Sequence, residues 1–151
     1  MTEMQARPAV KALALVRRPT DGALLVAVDV DPATGEPYER PLGGSVEVGE
    51  YALDAVVREL REELDAELTD VELVSVIENI FTFAGRPHHE IVFVFSAGLR
   101  PAELYERDDL VVMDRPGEQV RWRTLDATFP RLVPEELAEL WRQTPMSAIR
   151  R

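Results

Sequence analysis

The chain contains no cysteine and a single lysine, Lys11, so sixteen of its seventeen basic residues are arginine. The missing cysteine excludes disulfides, thiolate metal centres and a cysteine nucleophile. The arginine bias points to a GC-rich genome more than to a function. No apolar run approaches the roughly 20 residues that a membrane span needs. Met1 to Pro8 carries Glu3 and lacks the apolar core of a secretory signal. These absences make a soluble cytoplasmic protein the expectation. Positive charge is also in deficit: 17 basic residues face 28 acidic ones, for a net charge of −11. Such a field does not attract a nucleic acid polymer, and it repels a polyanionic small molecule as well. If the chain binds phosphates, metal ions or a few local arginines must reverse the field at the site.

What is present suffices for one folded domain. The 151 residues are 46% hydrophobic, with apolar clusters along the whole length. The expected domain spans residues 1–151, with 144–151 as a tail. Ala9 to Val16 reads as a strand, Pro19 to Gly22 as a turn, and Ala23 to Val28 as the return strand of a hairpin. Asp29 to Pro37 is a loop. Tyr38 to Leu42 is a short strand running into a turn at Gly43-Gly44. Val71 to Phe83 is a strand, and Ile91-Val92-Phe93-Val94-Phe95 lies in another that is buried on both faces. Pro101 to Gly117 reads as a long loop with order near Leu110 to Met113, and Gln119 to Leu125 as a strand. A last helix starts at Pro134, with Leu137, Leu140 and Trp141 on its apolar side. This order predicts an α/β fold, a mixed sheet with helices packed on it.

Glu50 to Leu64 is the clearest helix. Leu53, Val56, Val57, Leu60 and Leu64 recur at helical spacing, and Asp54 can pair with Arg58. Glu59, Glu62 and Glu63, at i, i+3 and i+4, share a face that is expected to point away from that stripe. Acidic helix faces are usually just solvated. Here three like charges repel, and a hard cation among carboxylate oxygens would relieve them; magnesium suits such a set. Gly43-Gly44 lets backbone approach an ion or a phosphate closely. The spacing is Gly44-x5-Glu50-x7-Arg58-Glu59-Leu60-x-Glu62-Glu63. With each of six fixed letters at a frequency of about a tenth, chance gives on the order of one match in a million starting positions.

This string resembles the box of the Nudix hydrolase family, Gly-x5-Glu-x7-Arg-Glu-U-x-Glu-Glu-x-Gly-U, where U is aliphatic. It occupies Gly44 to Ala66 and departs from the box at Asp65, which replaces the closing glycine, and at the small Ala66. A slightly altered helix end is expected there. The order of elements resembles the family over nearly the whole chain. The resemblance implies an α/β/α sandwich with a mixed sheet and a catalytic loop-helix-loop. It implies Glu59 and Glu63 as metal ligands, Glu62 as ligand or close helper, and the Gly43 carbonyl reaching the metal. Glu50 would sit at the edge of the site, held by Arg58. Magnesium, with manganese as a substitute, would bridge the diphosphate of a nucleotide and orient water for attack at phosphorus. Glu62 or Glu63 is the first choice of base, and Asp114 or Glu118 the alternative. A homodimer is a family-level expectation.

Other residues carry less. Arg40 and Tyr38 precede the glycines and could touch substrate, and Arg40 offers a fork for phosphate. His88 and His89 face opposite ways on a strand and cannot serve one site together. Glu78, in an apolar strand, is expected at a rim. Trp122 and Trp141 belong to the core. Two other readings compete with hydrolysis. A catalytically silent sensor or partner-binding domain has little reason to keep three repelling carboxylates. Isomerisation of a phosphorylated isoprenoid on the same fold is disfavoured because such enzymes resemble ones that use cysteine.

Overall fold

The structure, a computed structural model, describes residues 7–113, 115 and 117–144. Two sheets and two helices form it. The first sheet has the order β4-β1-β6-β5, built from β1 (Ala9–Val16), β4 (Gly43–Ser45), β5 (Glu67–Phe83) and β6 (Arg86–Arg100). The second has the order β7-β8-β2-β3-β9, built from β2 (Leu24–Val30), β3 (Pro37–Pro41), β7 (Leu110–Val111), β8 (Gln119–Arg123) and β9 (Arg131–Leu132). Each mixes parallel and antiparallel pairs, since β1 runs parallel to β6 and β3 parallel to β9. The α/β class and its mixed pairing hold, with the strands divided between two sheets. Among the described residues, no helix is long and apolar enough to cross a membrane.

β1 shows how the sequence builds the layers. Successive side chains point to opposite faces of a strand. Ala12, Ala14 and Val16 therefore join one cluster with Val56 and Leu60 of α1 (Ala52–Leu64). Leu13 and Leu15 join the other with Leu24, Val26 and, from α2 (Leu137–Gln143), Leu137 and Trp141. The helices thus cover opposite faces of β1. Trp122 and Trp141 are both buried, as expected.

Several expectations need correction. The turn at Pro19 to Gly22 forms, with Arg18 N–H donating to the Ala23 carbonyl at 2.7 Å. The hairpin does not: a single bridge at Arg17 and Leu24 precedes the parting of β1 and β2 into different sheets. Neither run alternates apolar with polar; both are buried at consecutive positions, as interior strands of separate sheets are. Gly43 and Gly44 are not a turn but part of β4, paired with Leu13 and Ala12 of β1. A Cβ on Gly43, whose φ is +151°, would meet the Ala12 carbonyl oxygen, so only glycine allows that approach. The segment from Pro101 to Gly117 holds a 3-10 turn at Ala102–Glu106 as well as β7. Pro134 lies ahead of α2, which starts at Leu137 after a turn whose N–H bonds back to the Pro134 carbonyl. Thr144 is no tail residue: it is buried, and its carbonyl accepts from Arg17 at 2.6 Å. Residues 145–151 lie outside the described residues.

In α1 the buried positions are Ala55, Val56, Leu60, Glu63 and Leu64. Leu53 is exposed and Val57 half-buried. The acidic face therefore does not oppose the apolar stripe. Seven residues after Val56, a helix returns to within about 20° of the same direction, and that position is Glu63.

Candidate active site

Arg58 ties the helix to the loop before it. Its Nε donates to Glu50 Oε2 at 2.8 Å and its Nη2 to Glu50 Oε1 at 3.0 Å, a two-point grip on one carboxylate. Nη2 also reaches the Ser45 carbonyl at 3.1 Å, while Nη1 donates to Glu59 at 3.0 Å and to Glu62 at 3.2 Å. Asp54 is not its partner. Glu50 Oε1 further accepts the Glu47 N–H at 3.1 Å, which closes the turn into the helix. The hydrogen bonds from Arg58 hold the Glu50 carboxyl below its ordinary pKa, and those from Glu50 raise that of Arg58.

The three carboxylates of α1 go to different places. Glu59 lies against the backbone of β4: a Cβ on Gly44 would stand 2.3 Å from its carboxyl carbon. Glu63 is only 3% exposed and opens on a cavity of about 160 Å³. Its Oε2 accepts from Arg115 Nη2 at 3.0 Å, and its backbone carbonyl accepts the Met113 N–H at 2.8 Å. Glu62 turns outward, with its side chain 48% exposed and paired to Arg58. Among the described residues, no three His, Cys, Asp or Glu side chains gather closely enough to enclose a metal ion. The mutual repulsion expected of these acids is relieved by Arg58 and Arg115. The need for a cation therefore does not follow from repulsion alone. The donor set still suits one. It offers only oxygens, and the notch over Gly44 that holds Glu59 is one a Cβ would fill.

The cavity floor is Gly43 and Gly44, beside Glu63, Arg115 and Glu118. Arg115 Nη1 stands 3.6 Å from Glu118, so one guanidinium spans both acids. Asp114 lies outside the described residues. Lys11, Asp29, Tyr38 and Arg40 also line the cavity. Lys11 Nζ donates to Ser45 Oγ at 3.0 Å; burial, then the neighbouring Arg40, lowers its pKa. Arg40 Nη2 pairs with the buried Glu90 at 3.0 Å. The Tyr38 hydroxyl donates to Asp29 at 3.3 Å; burial, reinforced by that carboxylate, pushes it up to about 12.

The structure thus brings Gly43, Gly44, Glu63, Arg40 and Tyr38 to one cavity, with Glu59 against its floor. Glu50, Arg58 and Glu62 do not line it: Glu50 precedes α1, and Glu62 turns outward in the last turn of the helix. Glu78 is exposed and paired with His89 at 2.9 Å, a rim position as expected. His88 faces away and stacks on Phe81. Sequence reasoning missed Lys11, Asp29 and Arg115. Lys11 carried a signal, being the one lysine in an arginine-biased chain. Arg115 carried none, because only the fold brings it to Glu63, 52 positions away in the sequence.

A family model described as NUDIX domain matches residues 7–143. No curated protein matches the chain. Among solved structures, the chain is similar to a MutT NUDIX hydrolase from Burkholderia pseudomallei, with TM-score 0.65 and 24% identity over 92% of this chain and 99% of that one. It is also similar to a MutT protein from Bacillus halodurans (TM-score 0.59, 16% identity, 89% and 80% covered). A NUDIX hydrolase from Nitrosomonas europaea gives a TM-score of 0.56 at 19% identity, with 95% and 86% covered. At these identities the likeness is one of fold.

Proposed function

The chain belongs to the NUDIX domain family, and from that premise we propose that it is a metal-dependent pyrophosphohydrolase. It cleaves a phosphoanhydride bond in a nucleoside diphosphate linked to another group. The observation that carries this reading is Glu59, seated in a notch that only glycine at 44 leaves open, while Glu63 enters the cavity over the same floor. Arg58 ties Glu59 to Glu50 of the loop before the helix, and Arg115 holds Glu63.

Glu59, Glu63 and the Gly43 carbonyl would hold magnesium, or manganese in its place, with Glu62 a helper at the rim. The ion supplies charge neutralisation to the diphosphate and a more acidic water. The chain's own residues do the rest. Arg40 and Lys11, which line the same cavity as Glu63, take phosphate oxygens, which offsets the repulsion of a −11 protein for a polyanion. Glu63 is the favoured proton acceptor, because it lies in the cavity and Glu62 does not. Glu118, on the same cavity wall, is the alternative.

The test is a screen of purified protein with magnesium and a panel of nucleoside triphosphates, nucleotide sugars, ADP-ribose and dinucleoside polyphosphates. Added phosphatase converts released monophosphates to inorganic phosphate. Turnover should vanish in EDTA and fall by about a hundredfold or more in Glu63→Gln, as loss of a proton-transferring or metal-holding carboxylate predicts. Turnover that survives either change removes the mechanism. Silence across the whole panel would favour a sensor that kept the fold.

A further inference from the structure

Glu59 and Glu63 each carry a guanidinium, and the two arginines are not equivalent. Arg58, with its side chain 27% exposed, grips Glu50 at two points and also donates to the Ser45 carbonyl. It can release Glu59 and stay where it is. Arg115 is 55% exposed and sits on acids of the cavity wall, Glu63 at 3.0 Å and Glu118 at 3.6 Å.

The backbone that carries Arg115 is anchored on both sides of it. Leu110 and Val111 of β7 pair with Val120 and Gln119 of β8. Leu110, Val112 and Val120 are buried in the cluster that also holds Val56 and Leu60 of α1. Met113 N–H donates to the Glu63 carbonyl at 2.8 Å. Between these anchors the chain turns tightly: Arg115 N–H donates to the Val112 carbonyl at 3.3 Å, and Glu118 N–H to the Arg115 carbonyl at 3.1 Å. The side chain therefore reaches Glu63 from a fixed base. An exposed side chain changes rotamer freely, so its guanidinium can swing to solvent without disturbing the buried residues beneath.

Charge makes that swing consequential. Burial first, then Arg40, lowers the pKa of Lys11, and Arg115 is among the smaller causes, so three cations crowd this cavity. A dication placed on Glu63 with Arg115 still seated would meet like charge at close range. We propose that Arg115 is a displaceable counter-ion of Glu63, competing with the divalent ion for the same carboxylate, so that the turn between β7 and β8 sets how tightly the protein holds metal. Arg115 offsets the cost of burying the Glu63 charge, and metal affinity is what that arrangement gives up. The proposal rests on the pyrophosphohydrolase reading for the ion itself.

The test is metal binding without nucleotide. Mn2+ is titrated at neutral pH into the full native chain, Arg115→Met and Arg115→Lys, and the free ion is read from its EPR signal. Removing the competitor should tighten Mn2+ binding by about fivefold or more in Arg115→Met. Arg115→Lys, which keeps the charge, should stay nearer the native value. A residue that only shapes the cavity would leave binding unchanged or weaken it, so the sign separates the two roles. In EDTA, Arg115→Met should melt below the native chain because Glu63 loses a cation, and saturating Mn2+ should raise its midpoint by more than it raises the native one. On the native chain, the guanidinium NMR signals of Arg115 should lose protection from water as magnesium is added, while those of Arg58 keep theirs; this readout holds even if a variant fails to fold. Equal or weaker Mn2+ binding by folded Arg115→Met, or Arg115 signals unchanged at saturating magnesium, overturns the proposal and leaves the hydrolase reading standing. Tighter binding by the variant without turnover on any nucleotide would sink the hydrolase reading and leave the competition in place.

Discussion

All three nitrogens of the Arg58 guanidinium are engaged, by groups drawn from the loop before α1 and from the helix itself. An interaction held this way has a pH signature. Arg58 depresses the Glu50 carboxyl from its ordinary value of 4.5. A carboxyl with a folded pKa below its unfolded one stabilises the fold above the unfolded value, and that contribution is lost as pH falls through the folded value. Glu50→Gln should therefore melt below the native protein at neutral pH. The two melting temperatures should converge as pH falls below 4.5 and the native carboxyl is protonated. A gap that widens on acidification would show that Glu50 does not act through its charge. The charged residues of this brace were legible in the sequence, because a spacing that specific leaves few alternatives. Their directions were not. Whether Glu62 or Glu63 points inward is decided by how α1 is rotated against β1, and the pattern Leu53, Val56, Val57 suggested a different rotation from the one adopted.

At the scale of elements, α1 ends as its sequence forewarned. Asp65 adopts the left-handed conformation, with φ 53° and ψ 38°, and its N–H bonds to the Arg61 carbonyl at 2.9 Å. That bond is the closure of an αL cap, made here without glycine, and the next amide, Ala66 N–H, reaches the Leu60 carbonyl at 3.3 Å. The conformation still costs a residue with a Cβ. Asp65→Gly should raise unfolding free energy by about 1 kcal/mol in urea titrations. An unchanged or lower midpoint would mean that Asp65 gains something from its side chain. Strand pairing was less legible than helix ends. β6 was readable from its run of Ile, Val and Phe, but nothing local distinguishes a β1 that turns back on β2 from one that takes β4 and β6 instead. That choice belongs to residues about 30 and 80 positions away, Gly43 to Ser45 and Glu90 to Ala97. The hairpin of β5 and β6 was clear as two strands, while the stacking of His88 on Phe81 depended on their pairing across it.

For the molecule as a whole, the second sheet is fastened by a buried charge cluster that no sequence pattern announced. Glu39, 1% exposed, accepts from Arg123 Nη1 at 2.6 Å and from Arg121 Nε at 2.7 Å. Arg123 also donates to the Pro130 and Ala127 carbonyls, so β3, β8 and the approach to β9 meet at one point. Removing one partner of a buried pair strands the other charge. Glu39→Ala should cost roughly 3–5 kcal/mol, a large share of the roughly 5–15 kcal/mol that holds a domain folded. Denaturant unfolding of the variant measures this; a loss below about 1 kcal/mol would mean that Arg123 finds water or another acid. The preference for arginine leaves one further mark. Across 151 residues the chain carries a single side-chain amine, and the fold sets it where the cavity of Glu63 meets the wider groove between β3 and the end of the β5–β6 hairpin. An acylating reagent that reacts with primary amines therefore has one side-chain address on this protein, and its rate of labelling there is a direct gauge of whether that doorway is filled.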